Sequence, residues 1–180
     1  MNIPNILTIL RFLLVPVFGY YMYDEKYLIA IVLFVVAGLT DVLDGYIARR
    51  FNMITAWGKL ADPAADKLMQ ITALIMLTYK RFLPVEVIII VLAKELFMII
   101  GSVKLLKKDN VVVSANWYGK LATVIFYAAI IMTIIVNMEK LEIAYRNTLV
   151  GIFVTIAVLA TLFAFVMYTF EYRRFRDGSK

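Results

Sequence analysis

Apolar runs approaching twenty residues recur along the chain, separated by short polar breaks. Each is long enough to cross about 30 Å of hydrocarbon as a helix. The pattern therefore predicts an all-α integral membrane protein with six transmembrane helices, at about residues 6–22, 27–47, 60–79, 85–103, 117–136 and 148–170. Asp24-Glu25-Lys26 reads as the turn after the first run, and Lys80-Arg81-Phe82-Leu83-Pro84 closes the third. Pro16 falls inside the first span and is expected to kink it. Pro63 lacks a backbone N–H, which is harmless in a first helical turn and damaging deeper, so the third span is expected to start only a few residues before it. No repeat of 20–50 residues and no low-complexity segment is visible, so residues 1–180 read as a single membrane domain.

Composition supports that class. Of 180 residues, 63% are hydrophobic, against roughly 45–50% in ordinary globular domains, and the mean hydropathy is +0.86. The opening run has no basic segment before it and no small-residue cleavage site after it, so it reads as a span and not as a cleaved leader. Cysteine and histidine are both absent. That excludes disulfides, thiolate chemistry and imidazole ligands or bases, and leaves proton transfer to Asp, Glu, Lys or Tyr. The net charge of +6 would point to nucleic acid in a soluble domain. Here no basic block carries interleaved aromatics on a soluble surface, and contact with anionic lipid headgroups accounts for the charge better, so no nucleic acid is expected as a partner.

The chemistry is concentrated between Asp41 and Asp66. This stretch holds four carboxylates, Asp41, Asp44, Asp62 and Asp66, and both pairs border apolar runs. Charge in such a place is costly unless balanced, which makes it a functional hypothesis by default. On a helix Asp41 and Asp44 (i, i+3) share a face with Ala48, and Asp62 and Asp66 (i, i+4) share a face with Gly58. Residues 50–57 are few enough to form a hairpin that lets the two acidic faces meet. Four converging carboxylates raise one another's pKa unless a counter-charge is present. Hard divalent cations with oxygen ligands relieve this, and Mg²⁺ is typically held by carboxylates together with substrate phosphates. The spacing suggests a two-metal carboxylate site.

The pattern D-x-x-D-G-x-x-A-R, eight residues, then G-x-x-x-D-x-x-x-D resembles the motif of the CDP-alcohol phosphatidyltransferase family, matched at Asp41, Asp44, Gly45, Ala48, Arg49, Gly58, Asp62 and Asp66. The six-span layout and the opening Asn2-Ile-Pro-Asn-Ile-Leu-Thr-Ile-Leu-Arg11 extend the resemblance over most of the chain. It implies a single membrane domain that holds two Mg²⁺ or Mn²⁺ ions and moves a substituted phosphate from a CDP-linked donor to a hydroxyl, with release of CMP. Asp41, Asp44 and Asp62 are then chiefly metal ligands. Asp66 is both ligand and catalytic base, within hydrogen-bond reach of the attacking hydroxyl. Gly45, Ala48, Arg49 and Gly58 face the CDP-substrate: the small residues leave room for base and phosphates, and Arg49 suits phosphate or cytidine. Taken singly, the small residues also fit close helix packing. A homodimer is likewise implied.

The opening motif and Asp62-Pro-x-Ala-Asp66-Lys67 are similar to family members that use CDP-diacylglycerol with glycerol 3-phosphate as acceptor. Gly38-Leu-Thr-Asp-Val-Leu-Asp-Gly45 and the Leu77-Thr-Tyr79…Leu83-Pro84 segment are similar to members whose acceptor is phosphatidylglycerol. The leading expectation is glycerol 3-phosphate, whose phosphate needs nearby cations; the candidates are Arg11, Lys94, Lys104 and Lys120. For Arg11 two readings stand open, snorkelling to the interface and a phosphate contact. For the mid-span Lys94-Glu95 pair they are a neutralised structural contact and part of the polar cavity. A cation transporter would also use intramembrane carboxylates, yet such sites usually lie near the midplane on broken helices with internal repeats.

Six spans put both termini on the side of the carboxylates. That side carries Arg49, Arg50, Lys59, Lys67, Lys104, Lys107, Lys108, Lys120, Arg173, Arg174, Arg176 and Lys180, and the other only Lys26, Lys80, Arg81, Lys140 and Arg146. By the positive-inside bias the acidic site faces the cytoplasm, and a bacterial inner membrane is the expected location.

Overall fold

The computed structural model of the chain describes residues 2–51, 53, 55–94, 96, 117–138 and 143–178. All of its regular structure is helical: α1 (Ile3–Tyr23), α2 (Tyr27–Arg50), α3 (Ala56–Tyr79), α4 (85–94), α5 (Trp117–Met138) and α6 (Ile143–Gly178). They fall into two compact units, Met1–Leu83 and Pro84–Lys180.

Among the described residues four helices are long and apolar enough to cross a membrane: Ile3–Tyr23, Tyr27–Arg50, Trp117–Met138 and Ile143–Phe170. Of the six expected transmembrane helices, four meet this measure among the described residues. Helix α3 has the length, but Lys59, Asp62, Asp66 and Lys67 interrupt its first half. The rest of the fourth expected span, Glu95 and residues 97–103, lies outside the described residues, as do Lys104, Lys107, Lys108 and Lys140.

In the first unit α1 packs against both α2 and α3, and α2 and α3 also touch. Its core alternates bulk with very small residues. Phe18 and Met22 of α1, Ala30, Phe34 and Ala37 of α2, and Ala65, Met69, Ala73, Leu74 and Leu77 of α3 are all buried. Phe18 and Phe34 stack tilted, with centroids 5.5 Å apart. Alanines at two-turn intervals let helix backbones approach closely where lipid supplies no hydrophobic drive for association. The outward faces keep large apolar side chains such as Leu13, Val32, Leu39 and Ile75 exposed, as helices facing acyl chains require.

One end of this unit is closed by the turn Asp24-Glu25-Lys26, with Glu25 in the left-handed region at φ 60°. Lys80, at the end of α3, reaches this turn through the Tyr23 carbonyl at 2.8 Å and Glu25 Oε1 at 2.9 Å. Tyr23 stacks on Tyr79 at 6.0 Å, and Tyr27 lies 5.6 Å from Phe82. Tyrosines and lysines gathered at a helix end are the composition of a membrane–water interface.

Helix α3 begins earlier than expected. Thr55 is extended (φ −110°, ψ 153°) and its Oγ1 accepts the Gly58 N–H at 2.9 Å, an N-cap that starts the helix at Ala56. Pro63 thus lies well inside α3, where its ring removes the donor to the Lys59 carbonyl. The cap outweighs the local preference for proline in a first turn.

In the second unit α5 packs against α6. Tyr118, Ala122 and Ala164 form a buried cluster flanked by Ala160, Met167 and Tyr168. The Tyr118 and Tyr168 rings meet edge-on at 4.9 Å. Gly119 faces the Tyr168 hydroxyl so closely that a Cβ there would clash with it, and the missing side chain is what lets the ring seat.

Candidate active site

The acidic residues gather at the end of the first unit away from the Glu25–Lys80 clasp. Asp41 and Asp44 lie near the end of α2, and Asp62 and Asp66 in the first half of α3. The α2–α3 connection is only residues 51–55, which folds the two pairs toward one another. Asp41 experiences the charges of both Asp62 and Asp66, and Asp44 those of Asp62 and Asp41.

What stands between them comes from α1. Arg11 is fully buried; its Nη1 lies 2.8 Å from Asp41 Oδ1, and its Nη2 donates to Asp44 Oδ2. Nη1 also lies 3.5 Å from the Asp62 carbonyl. Asp44 is 2% exposed and Asp41 42%, so the pair straddles the boundary between protein interior and surroundings. Thr8 Oγ1 is within hydrogen-bond reach of Asp62 Oδ1 and of the Pro4 carbonyl at 3.1 Å; its single proton serves one of them at a time. One turn earlier, Asn5 Oδ1 accepts from Thr55 Oγ1 at 3.0 Å. Asn5, Thr8 and Arg11 (i, i+3, i+6) thus form a polar stripe on an otherwise apolar helix, and each residue of the stripe meets the α2–α3 hairpin. Asp66 is held from its own helix: the buried Gln70 donates through Nε2 to Asp66 Oδ2 at 2.9 Å.

Of the small motif residues, Gly58 is enclosed. A Cβ there would come within 3.0 Å of Thr55 Oγ1 and 3.2 Å of Asn5 Oδ1, so its bareness admits the contact between α1 and the cap of α3. Gly45 is more open, and its nearest neighbour would be the Arg49 guanidinium at 3.6 Å, which folds back over it. Ala48 is half-buried on the same helix, and Arg49 itself is exposed. Lys94 and Lys120 belong to the second unit, the first half-buried and the second exposed. Lys104 is outside the described residues.

Sequence reading placed the four aspartates and the glycines but left Arg11 between an interface and a phosphate. The structure shows a third use, as counter-ion of Asp41 and Asp44. Asn5 and Thr8 stand in the opening motif without an assigned role, and Gln70 is not singled out. The three-residue spacing on α1, and Gln70 one turn beyond Asp66, are the signals that could have found them.

Among the described residues no group of three or more acidic side chains adopts an ion-holding arrangement; protein donors engage the carboxylates instead. The donor set itself is all hard oxygen, half-exposed at Asp41 and close enough for mutual repulsion, and this chemistry fits Mg²⁺ or Mn²⁺.

Comparison with known proteins agrees with the motif. A profile of the CDP-alcohol phosphatidyltransferase family matches residues 1–168. The CDP-diacylglycerol–glycerol-3-phosphate 3-phosphatidyltransferase of Aquifex aeolicus is 30% identical over 173 residues, covering 95% of this chain and 96% of that protein. The Bacillus subtilis protein of the same name is 36% identical over 137 residues, covering 68% and 70%. Human cardiolipin synthase (CMP-forming) is 40% identical over 99 residues, which are 54% of this chain and 33% of that protein.

Proposed function

Because the chain belongs to the CDP-alcohol phosphatidyltransferase family, we propose that this membrane enzyme transfers the phosphatidyl group of CDP-diacylglycerol to glycerol 3-phosphate, releasing CMP and forming phosphatidylglycerophosphate. The observation that carries the reading is the meeting of the motif's aspartates at one end of a three-helix unit, with relatives named for this reaction matching nearly the whole chain. In this reading residues 1–180 act as one membrane domain with six spans, α3 and the chain through α4 supplying the two that fall short of a continuous apolar length. The chain works in a bacterial inner membrane, with the acidic end toward the cytoplasm, and as a homodimer.

Asp41, Asp44, Asp62 and Asp66 would hold two divalent ions, Mg²⁺ or Mn²⁺. When bound, such ions neutralise charge on a pyrophosphate and favour departure of the nucleotide. The remaining work falls to the chain. The exposed Arg49, lying over Gly45, is placed to meet the phosphates or cytosine of a lipid-anchored donor at the interface. Asp66, oriented by Gln70, accepts the proton of the attacking hydroxyl. The reaction is a single displacement, with no covalent phosphatidyl-enzyme. Lys120, at the start of α5, is the leading contact for the acceptor's phosphate, followed by Lys94, Lys104 and Arg11.

The similarity to human cardiolipin synthase supports a second reading, in which phosphatidylglycerol is the acceptor. Purified protein given CDP-diacylglycerol, Mg²⁺ or Mn²⁺ and each acceptor in turn separates them. Phosphatidylglycerophosphate should form, and Lys120→Ala should raise KM for glycerol 3-phosphate by about ten- to a hundredfold while leaving that for CDP-diacylglycerol nearly unchanged. Cardiolipin from phosphatidylglycerol, with glycerol 3-phosphate ignored, would establish the second reading. Metal uptake without CMP release would point to a cation transporter instead.

A further inference from the structure

The only cation touching Asp41 and Asp44 among the described residues is built into the chain. Arg11 has no exposed side-chain surface, and its two terminal nitrogens are divided between those carboxylates, one turn apart on α2. Its Nε, also buried, has no hydrogen-bond partner. A buried guanidinium serving as a permanent strut ordinarily has its donors satisfied. This one is engaged through the fork that faces the acids and left unsatisfied along its stem.

Charge balance gives the arrangement a meaning. Of the four aspartates, Arg11 pairs with Asp41 and Asp44, whose two charges it only half balances, and both also feel the charge of Asp62. Two divalent ions would neutralise all four, and Arg11 would then be a buried charge with nothing to balance, which is strongly unfavourable. The fork and the ions would draw on the same two carboxylates, where Asp41 Oδ1 and Asp44 Oδ2 already accept from Arg11.

We propose that Arg11 is a tethered counter-cation of the unloaded site, which holds Asp41 and Asp44 together until divalent ions bind and is exchanged for them when they do. The inference rests on the metal-binding reading above. It adds that metal affinity is set by competition with a residue of the chain, and that the unloaded enzyme keeps its acidic pair folded through Arg11.

The test uses full-length protein in detergent, Mn²⁺ titration followed by electron paramagnetic resonance, and melting temperatures in EDTA and at saturating Mn²⁺. Arg11→Met keeps the length and removes the charge. Arg11→Lys keeps the charge but not the fork, so it engages one carboxylate at a time. Exchange predicts that Arg11→Met binds Mn²⁺ about 5- to 150-fold more tightly than wild type, the usual scale of coupling between sites, with Arg11→Lys in between. It also predicts that Arg11→Met melts below wild type in EDTA and that saturating Mn²⁺ erases the deficit. A deficit that persists unchanged at saturating Mn²⁺ would make Arg11 a permanent strut and overturn the proposal. So would Mn²⁺ affinity in both variants equal to or weaker than that of wild type. If Arg11→Met fails to fold without metal, the Arg11→Lys affinity and its Mn²⁺-dependent recovery decide the matter by the same criteria. Wild type and variants that all fail to bind Mn²⁺ would refute the metal reading and the exchange together.

Discussion

The two ends of the α1–α3 unit are made from the same three helices and carry opposite electrostatics. At the Glu25 end a lysine meets a carboxylate and a carbonyl at ordinary distances, Glu25 is largely exposed, and aromatic rings stack around them. Lys80 pairs with Glu25 and Lys26 with Asp24, both carboxylates well exposed, so these charges cancel where solvent can reach them. At the Asp41 end two carboxylates, Asp41 and Asp44, share one arginine, and Arg11 and Asp44 are buried. Burial raises the cost of each uncompensated charge, so this end is suited to the divalent ions proposed for it. A membrane helix can thus end in a structural clasp or in a binding site. The difference lies in whether the charges cancel and how far water reaches them.

Charge removal should separate the ends most strongly. Asp41→Asn, Asp44→Asn, Asp62→Asn and Asp66→Asn are each expected to reduce CMP release by about a hundredfold or more, since metal stabilisation of transferring phosphoryl groups is worth several kcal/mol. Glu25→Gln should leave it unchanged. Two or more folded aspartate variants with retained turnover would remove the distinction between the ends. Within the set, Asp66→Asn should still bind CDP-diacylglycerol far better than Asp41→Asn does, and equal loss of binding would make Asp66 a plain ligand.

The ends should also lie on opposite sides of the membrane. The chain has no cysteine, so single cysteines at Glu25 and Phe51, both exposed, report cleanly. An impermeant thiol reagent should label Glu25→Cys in intact cells and Phe51→Cys only after cells are opened. The reverse pattern would invert the topology, and equal labelling would abolish it.

Smaller effects follow from the residues that hold the site in place. Gln70→Leu removes the donor to Asp66, and losing such a supporting contact should lower turnover by roughly 10- to 100-fold with little change in melting temperature. An unchanged rate would mean that Asp66 is oriented by other groups. Thr55→Ala removes the cap of α3 and its link to Asn5, with an expected loss of about 1 kcal/mol in detergent unfolding that Thr55→Ser should largely restore.

The least effect is expected at the clasp. The hydrogen bond that Lys80 donates to Glu25 holds its ammonium above its ordinary pKa. A raised lysine contributes its stability in full below the unfolded value, roughly 10.4, and loses it as pH rises through the folded value. Lys80→Met should therefore lower the melting temperature slightly at neutral pH, with the gap to wild type closing only in strongly alkaline buffer. A gap that closed in acid, near the titration of Glu25, would assign the effect to the carboxylate's protonation alone.

The sequence by itself determined what is local to one helix. Apolar run length predicted the helices, and α1, α2, α5 and α6 appear where the runs are, each extended by a few residues or more into polar flanks. Spacings of three and four residues put Asp41 with Asp44 and Asp62 with Asp66, because helical periodicity fixes which side chains share a face whatever the neighbours do. The short connection of residues 51–55 made the meeting of those faces foreseeable. The choice of counter-charge was not local. Arg11 lies 33 positions from Asp44 and 51 from Asp62, and nothing in the periodicity of α1 says which helix its polar stripe will face. That depends on the axial shift and rotation at which α1 packs against α2 and α3, with Phe18 against Phe34. The same packing brings Asn5 to the cap of α3, where its Oδ1 accepts from Thr55 Oγ1. Contacts between helices depend on the fit of two surfaces, and a single strand of sequence specifies each surface without specifying how they dock.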